Sequence, residues 1–457
     1  MEQTMVYESE PAAFYNEETW RFVHQYQHEQ VTQLALHAKP ESQVNFHAAL
    51  QQIDGWQRAE HKLPRWVKYD HIVFPIKLSM EQCSSEQTAT YKQQVLASLL
   101  KVLPAVHTES SRLVDLTGGF GVDCTLLAPL FDKVTMVERN RELAHIVQHN
   151  MRVFELDHVQ VECDDAQLVL GRINNAHQQV TCMIIDPARR DQAGGRTYAI
   201  ADCTPNVLTM LPSMLNAAPI VMIKLSPMLD WHKAVDDITD GVVQDVHIVA
   251  VQRECKELLI VVVRPEMATY LAQHNMLPTL HIAHILGSNT ILDEIAFTDT
   301  RFQQYAIDSD GANNAVQYFD TDTMPIDLAW LEAHQGAAYV YEPHAAMMKA
   351  GCFDYLERRY GVTQLAPNSH LYIATQVIPT FPGKCMSITG VSSANKKQLR
   401  ALVQDLTHAN ISVRNFPQSV ATLRKTLHLA DGGNTTLYAT SLSDRTHVVL
   451  RTQPAER

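Results

Sequence analysis

The chain has eight cysteines but no CxxC pair and no metal-like spacing among them. That argues against both a disulfide framework and a structural zinc site, and for reduced thiols. No apolar run is clean enough to cross a bilayer. The longest, "NVLTMLPSMLNAAPIVMIKLSPML", holds three prolines and Lys224, and reads as a helix followed by a buried strand. The opening "MEQTMVYESEPAAFYNEETW" is acidic and has no apolar core, so no secretory signal is visible. Positive charge is not in excess either. A net charge of −13 excludes a nucleic-acid surface spread over the whole molecule and confines any such contact to a local basic patch. Internal repeats, low-complexity tracts and a nucleophile elbow are missing too. His145 and His149 share a helix face in "HIVQH" without a third ligand or an HExxH glutamate, so surface histidines are the expectation and no metal is. The expectation is a cytoplasmic protein with no membrane contact.

What is present is an ordinary folded composition, 46% hydrophobic and 19% charged over 457 residues. That length predicts about two to four domains. Residues 1–100 read as a helical domain: "EETWRFVHQYQHEQVTQLALHA" puts Trp20, Val23, Val31 and Leu34 near one helical face, and "SSEQTATYKQQVLASLL" opens with a serine cap followed by glutamate. Over residues 101–266 short apolar runs ("RLVDL", "KVTMVE", "VQVEC", "TCMIID", "PIVMIKL") alternate with amphipathic segments. Such alternation predicts βαβ units and a parallel sheet covered on both faces. "DVHIVAV" and "LLIVVVRP" are joined only by "QRECKE", too short for a parallel crossover, so an antiparallel pair must close the sheet. Residues 267–390 read as a middle α/β domain, for which a ferredoxin-like plan is one option. It contains "YVYEPHAAMMKAGCFDYLERRYG", expected to hold a proline-started helix ended by Gly361. Residues 391–457 alternate again and make a last small α/β domain.

The most informative stretch is "LVDLTGGFGVDCTLLAPLF", where Gly118, Gly119 and Gly121 fall between an apolar strand and a helix. Glycines there let the backbone approach a ligand and expose amides at a helix start, or they simply make a tight turn. The doubly wound rule places a ligand at this end of the parallel strands. Glu138 ends the next strand about twenty positions after Asp115, the offset at which an acid accepts from both ribose hydroxyls; a solvated strand-end acid is the alternative. In "CDDAQ", Asp165 could accept from an adenine amino group or cap the following helix. Together these features favour an adenosine-bearing cofactor. The run "TGGFGVD" lacks the third glycine of the dinucleotide turn, and Asp115 would repel a pyrophosphate but suit a cationic amino-acid end.

This combination resembles the class I S-adenosylmethionine-dependent methyltransferases, whose first motif is an acid followed by glycines; Thr117 stands where their first glycine often falls. The resemblance implies S-adenosylmethionine as cofactor, held by Asp115, Thr117, Gly118, Gly119, Gly121, Glu138 and Asp165. It also places Asp186 and Pro187 of "TCMIIDPARRD" where amino-methylating members carry Asp/Asn-Pro-Pro-aromatic, to orient the acceptor nitrogen. Ala188 and Arg189 replace the second proline and the aromatic. Tyr198 could supply an aromatic face or pack its loop, and Arg189 and Arg190 could clamp phosphate or form ordinary ion pairs. The strings "LSMEQCSSEQTATYK", "DPARRDQAGGRTY", "DCTPNV", "KLSPMLD", "YEPHAAMMKAG" and "NFPQSVATLRKTLHLADGG" look like a bacterial methyltransferase group with a THUMP-like C-terminal domain. That resemblance covers nearly the whole chain and implies an RNA substrate. From Val391 onward nine Lys/Arg face four acids, so Arg424 and Lys425 could belong to a phosphate-facing surface or to a solvated helix face. The activity implied is methylation of a base nitrogen in RNA. The rivals are a methyltransferase of protein or small molecules, a non-catalytic RNA-binding protein of this fold, and a nucleotide-dependent oxidoreductase.

Overall fold

A computed structural model of the chain describes residues 16–104, 110–189, 199–287, 289–296, 305–306 and 326–455. The chain divides into two compact units, Met1–Val251 with Lys256–Thr279, and Gln252–Cys255 with Leu280–Arg457.

The first unit opens with helices α1 (Glu17–Tyr26), α2 (Val31–His37), α3 (Phe46–Lys62), α4 (Lys77–Gln82) and α5 (Glu86–Leu100). Asn16, Asn45 and Ser85 start α1, α3 and α5 by accepting the N–H of Thr19, Ala48 and Thr88, which satisfies donors that no helical turn can reach. The segment read as one helical face is two helices, because the polar residues 27–30 carry no apolar stripe onward. Val23 and Leu34 nevertheless meet in one small core with Phe22, Ala49 and Ile53. Gly55 sits inside α3 because a Cβ there would lie 2.3 Å from the Phe74 side chain.

Among the described residues seven strands of one sheet follow: β1 (Arg112–Asp115), β2 (Lys133–Val137), β3 (Val159–Glu162), β4 (Cys182–Ile185), β5 (Ile220–Leu225), β6 (Val242–Val251) and β7 (Glu254–Val263). They lie in the order β3-β2-β1-β4-β5-β7-β6. Parallel pairing runs from β3 through β5, and β7 returns antiparallel against β5 with Val263 opposite Ile220. Helices α6 (Val122–Leu127), α7 (Arg141–Val153), α8 (Ala166–Asn175), α9 (Val207–Ala217), α10 (Trp231–Asp237) and α11 (Pro265–Gln273) alternate with the strands or follow them. All four residues of β4 are buried, as expected of a central parallel strand with helices on both faces. The strand order reverses at β1, flanked by β2 and β4. Ligands of doubly wound sheets bind at such a point.

The amino-terminal helices and the sheet share one core, in which Trp66, Leu96 and Leu99 join Leu113, Phe120, Val134 and Ile184. Two buried amides fasten the segment between α3 and α4. Asn150 both accepts from and donates to Val73 at 2.9 Å, and Gln52 does the same to Phe74 at 3.0 Å.

The second unit contains β8 (Thr279–Leu286) and β9 (Asn289–Ala296), followed by a seven-stranded sheet. That sheet is built from β10 (Tyr339–Pro343), β11 (Thr363–Gln364), β12 (Tyr372–Ala374), β13 (Gly383–Ser393), β14 (Asn410–Arg414), β15 (Thr436–Ser441) and β16 (His447–Pro454), in the order β11-β12-β10-β13-β16-β15-β14. "YVYEP" is therefore a strand, and Pro343 ends it rather than starting a helix. Two short helices follow, Ala345–Ala350 and Phe353–Tyr360, each stopped by a left-handed glycine, Gly351 and Gly361. Helices Lys396–Leu402 and Val420–Leu427 seal a separate small core through Leu399, Leu423 and Leu427. The second of them is the crossover that the parallel β14–β15 pair requires. Glu342, at the end of β10, accepts from Arg414 at 2.7 Å, Lys384 at 3.0 Å and Tyr438 at 3.0 Å. Burial pushes its pKa up, but the two cations outweigh that and hold it below the usual carboxylate range.

Candidate active site at the strand ends

β1 ends at Asp115, and the chain must turn at once into α6. Asp115 lies buried beneath the turn, its Oδ1 accepting the Thr117 N–H at 3.0 Å. The Gly118 N–H donates to the Val137 carbonyl at 2.8 Å and ties the turn to β2, while the Gly121 N–H closes back on Gly118 at 2.9 Å. The three glycines serve different ends. A Cβ on Gly118 would lie 2.2 Å from the Met136 side chain, and one on Gly121, at φ +80°, would lie 3.0 Å from Val147 and Met151. Those two permit packing. Gly119, at φ +55°, would meet nothing nearer than the Thr117 carbonyl at 4.0 Å. Its face of the turn is open, and a ligand can approach the backbone there.

Glu138 follows β2 and folds back onto this turn. Its Oε2 accepts the Gly119 N–H at 3.0 Å and its Oε1 the Asn140 N–H at 2.7 Å. The carboxylate thus braces both the glycine turn and the start of α7, and each oxygen keeps a lone pair for another donor. Asp165 is exposed after β3 and caps α8 by accepting the Gln167 N–H at 2.8 Å. Its neighbour Asp164 is bound to Arg172 at 2.6 Å.

Asp186 follows β4. Its N–H donates to Thr117 Oγ1 at 2.5 Å, so the threonine in place of a glycine links the β1 turn to the β4 end. Its carboxylate pairs through Oδ2 with Lys224 Nζ on β5. Pro187 is buried behind it. The sequence reading missed Lys224 and the linking role of Thr117. Lys224 left a signal: it is the one charged residue in the apolar run "PIVMIKL", and a lysine in a buried strand needs a partner. Ala188–Arg189 and Cys203–Thr204 then form an antiparallel ribbon. Arg190 and Tyr198 fall outside the described residues, as does the Arg189 side chain.

Asp115, Glu138, Asp165 and Asp186 therefore follow or end four adjacent strands. Burial pushes the Asp115 carboxyl up to about 7; the Thr117 N–H opposes this, and Asp123, Asp186 and Glu138 add to it. An acid whose folded pKa lies above its unfolded value binds its proton more tightly when folded. The Asp115 contribution to stability should therefore fall as pH rises from about 4 to 7. Asp115→Asn keeps the carbonyl that accepts from Thr117 and removes the charge. The parent's denaturation free energy should fall relative to this variant's over that window and lie roughly 2–4 kcal/mol below it at pH 8. Parallel pH profiles for the two proteins in urea titrations would show that Asp115 does not titrate there.

Two family models match the carboxy-terminal part, a ferredoxin-like domain over residues 339–382 and a THUMP domain-like one over residues 383–454. Among solved structures, a candidate methyltransferase from Porphyromonas gingivalis W83 is 28% identical, with 97% of this chain and 100% of that one covered and a TM-score of 0.74. The first unit has the class I methyltransferase fold. A candidate RNA methyltransferase from Pyrococcus horikoshii matches 46% of this chain and 98% of its own at 15% identity and a TM-score of 0.31. An rRNA methylase from Streptococcus thermophilus matches 34% and 88% at 15% identity and a TM-score of 0.26. No curated protein matches the sequence. Among the described residues, no helix is long and apolar enough to cross a membrane.

In the THUMP-like domain, Arg424 and Lys425 sit on one helix but differ in state. Arg424 is bound to Asp431 at 2.5 Å and to the Ala409 carbonyl at 3.2 Å, whereas Lys425 is exposed. Arg451 is likewise held by both oxygens of Asp405 at 2.7 Å. Lys396, Lys397 and Arg400 are exposed on the other helix of that core.

Proposed function

We propose that the protein is an S-adenosylmethionine-dependent methyltransferase that modifies a nitrogen of an RNA base. One observation carries this reading: an open glycine turn beside acids at four adjacent strand ends, with Asp186 fastened to that turn through Thr117. The donor set suits the cofactor, because carboxylates favour a ligand bearing a sulfonium and an ammonium and would disfavour a pyrophosphate. Gly119 would let it lie against the backbone, Glu138 would accept from its ribose hydroxyls, and Asp115 would lie near its cationic end. Asp165 would reach an adenine amino group with the oxygen not used for capping. When bound, the cofactor supplies an electrophilic methyl group.

The chain's own part is to place the acceptor. Asp186 would accept from the target amino group, with Pro187 limiting its backbone, so that the nitrogen lone pair points at the methyl; the gain comes from orientation. The RNA part of the proposal draws on the THUMP-like domain and on exposed Lys396, Lys397, Arg400 and Lys425, which can meet phosphates. Arg424, already neutralised by Asp431, would contribute less.

The test uses the purified chain, methyl-labelled S-adenosylmethionine and total RNA from cells lacking the gene. Label should enter RNA, and nucleoside mass spectrometry should find one methylated base missing from those cells and restored by the protein. Label in protein or small molecules alone would support that rival class. Absence of S-adenosylhomocysteine binding by calorimetry would mean a non-catalytic protein of this fold.

A further inference from the structure

Lys224 is not isolated beside Asp186. Lys92 on α5 is fully buried and binds both oxygens of Glu257 on β7 at 2.8 Å. The same ammonium lies 3.1 Å from Asp123 Oδ1 on α6 and 3.3 Å from Ser84 Oγ, and Ser84 donates to Asp123 Oδ2 at 2.7 Å. Lys224 feels Asp123 and Glu257 as well as Asp186; burial opposes its charge, and the three acids together overcome that and raise its pKa. Two lysines and three acids thus alternate from the amino-terminal helices to the end of β4.

We propose that Lys224 is a positioning residue of the acceptor site, holding the Asp186 carboxylate by Oδ2 so that Oδ1 is left for the substrate amine. This rests on the methyltransferase reading and adds to it a reason for the lysine. The bond to Lys224 fixes the carboxylate's rotation, while the Thr117 bond fixes its backbone. Two independent restraints on one side chain are what an orienting role needs, since small misplacement of a reacting group is costly. The Lys92–Glu257–Asp123 cluster sets the surroundings of Lys224, so α5 takes part in shaping the site although it bears no acceptor contact of its own. Removing Lys224 takes from Asp186 the ammonium bound to its Oδ2, and a carboxylate without its partner turns toward water.

The test is a double-mutant cycle on Lys224 and Asp186, read by single-turnover methyl transfer to the same RNA and by S-adenosylhomocysteine affinity. Lys224→Met should lower transfer at least 10-fold and leave the affinity within about 3-fold. Lys224→Arg should recover most of the loss, because it keeps the charge and can still bind Oδ2. In an Asp186→Ala background, Lys224→Met should cost nothing further, since a residue acting only through Asp186 has nothing left to hold. Additive losses in the cycle, or no rescue by arginine, would overturn the positioning role. Should Lys224→Met fail to fold, Lys224→Met with Asp186→Asn should fold, because the pair is then removed together; failure of both would make the lysine purely structural. A wild-type chain that binds S-adenosylhomocysteine but transfers no methyl to RNA would instead remove the reading beneath the proposal, and the proposal with it.

Discussion

Asp186→Ala is expected to bind S-adenosylhomocysteine within a few fold of the parent and to lose roughly 10²-fold or more in methyl transfer. The residue follows the buried run Cys182–Ile185 with its own carboxylate half-exposed, so that it can meet a substrate if partners hold it in place. It has them in Lys224 and, through its backbone, Thr117. A group that only orients the acceptor matters in the transition state and hardly at all to the bound cofactor, so turnover and affinity should separate. The backbone bond to Thr117 survives the substitution, and the glycine turn with it. Equal losses in both quantities would make Asp186 a cofactor ligand or a structural cap, and full activity would move the acceptor site elsewhere.

Glu138→Ala should weaken S-adenosylhomocysteine by about 1.5–3 kcal/mol, the range for hydrogen bonds to a charged group, or about 10- to 100-fold in calorimetry. Two effects add here. The ribose would lose its acceptor, and the Gly119 and Asn140 N–H groups would lose the carboxylate that braces them. Glu138→Gln separates the two effects, because its one amide oxygen can still accept from Gly119 while the charge is gone. Its affinity should fall between those of the parent and the alanine variant. Unchanged affinity in a folded Glu138→Ala protein would limit Glu138 to bracing the turn.

Much of the first unit was legible because helix and strand periodicities are local properties. The short joint between "DVHIVAV" and "LLIVVVRP" left no room for a parallel crossover, and β6 and β7 lie side by side in the sheet, with β7 antiparallel to β5. Asp115, Glu138 and Asp186 were recognisable because each interrupts or ends an apolar run. Periodicity was weaker in the second unit. "YVYEPHAAMMKAG" offered a proline as a helix start, yet Val340 and Tyr341 are claimed by pairing with β12 and β13. That pairing is a tertiary fact which no local window contains.

The sequence by itself determined the alternating βα core, the glycine turn at its switch point and the acids at successive strand ends, since these follow from residue type and short spacing. Tertiary structure alone decided which partner each polar group takes. Thr117 and Asp186 are 69 positions apart and Lys224 and Asp186 are 38 apart, while Lys92 and Glu257 are separated by 165. A sequence shows that a buried lysine or carboxylate must find a counter-charge, because leaving one unpaired is too costly. Which counter-charge it finds depends on strand order and helix packing, and those bring distant residues within 3 Å of each other only once the chain has folded.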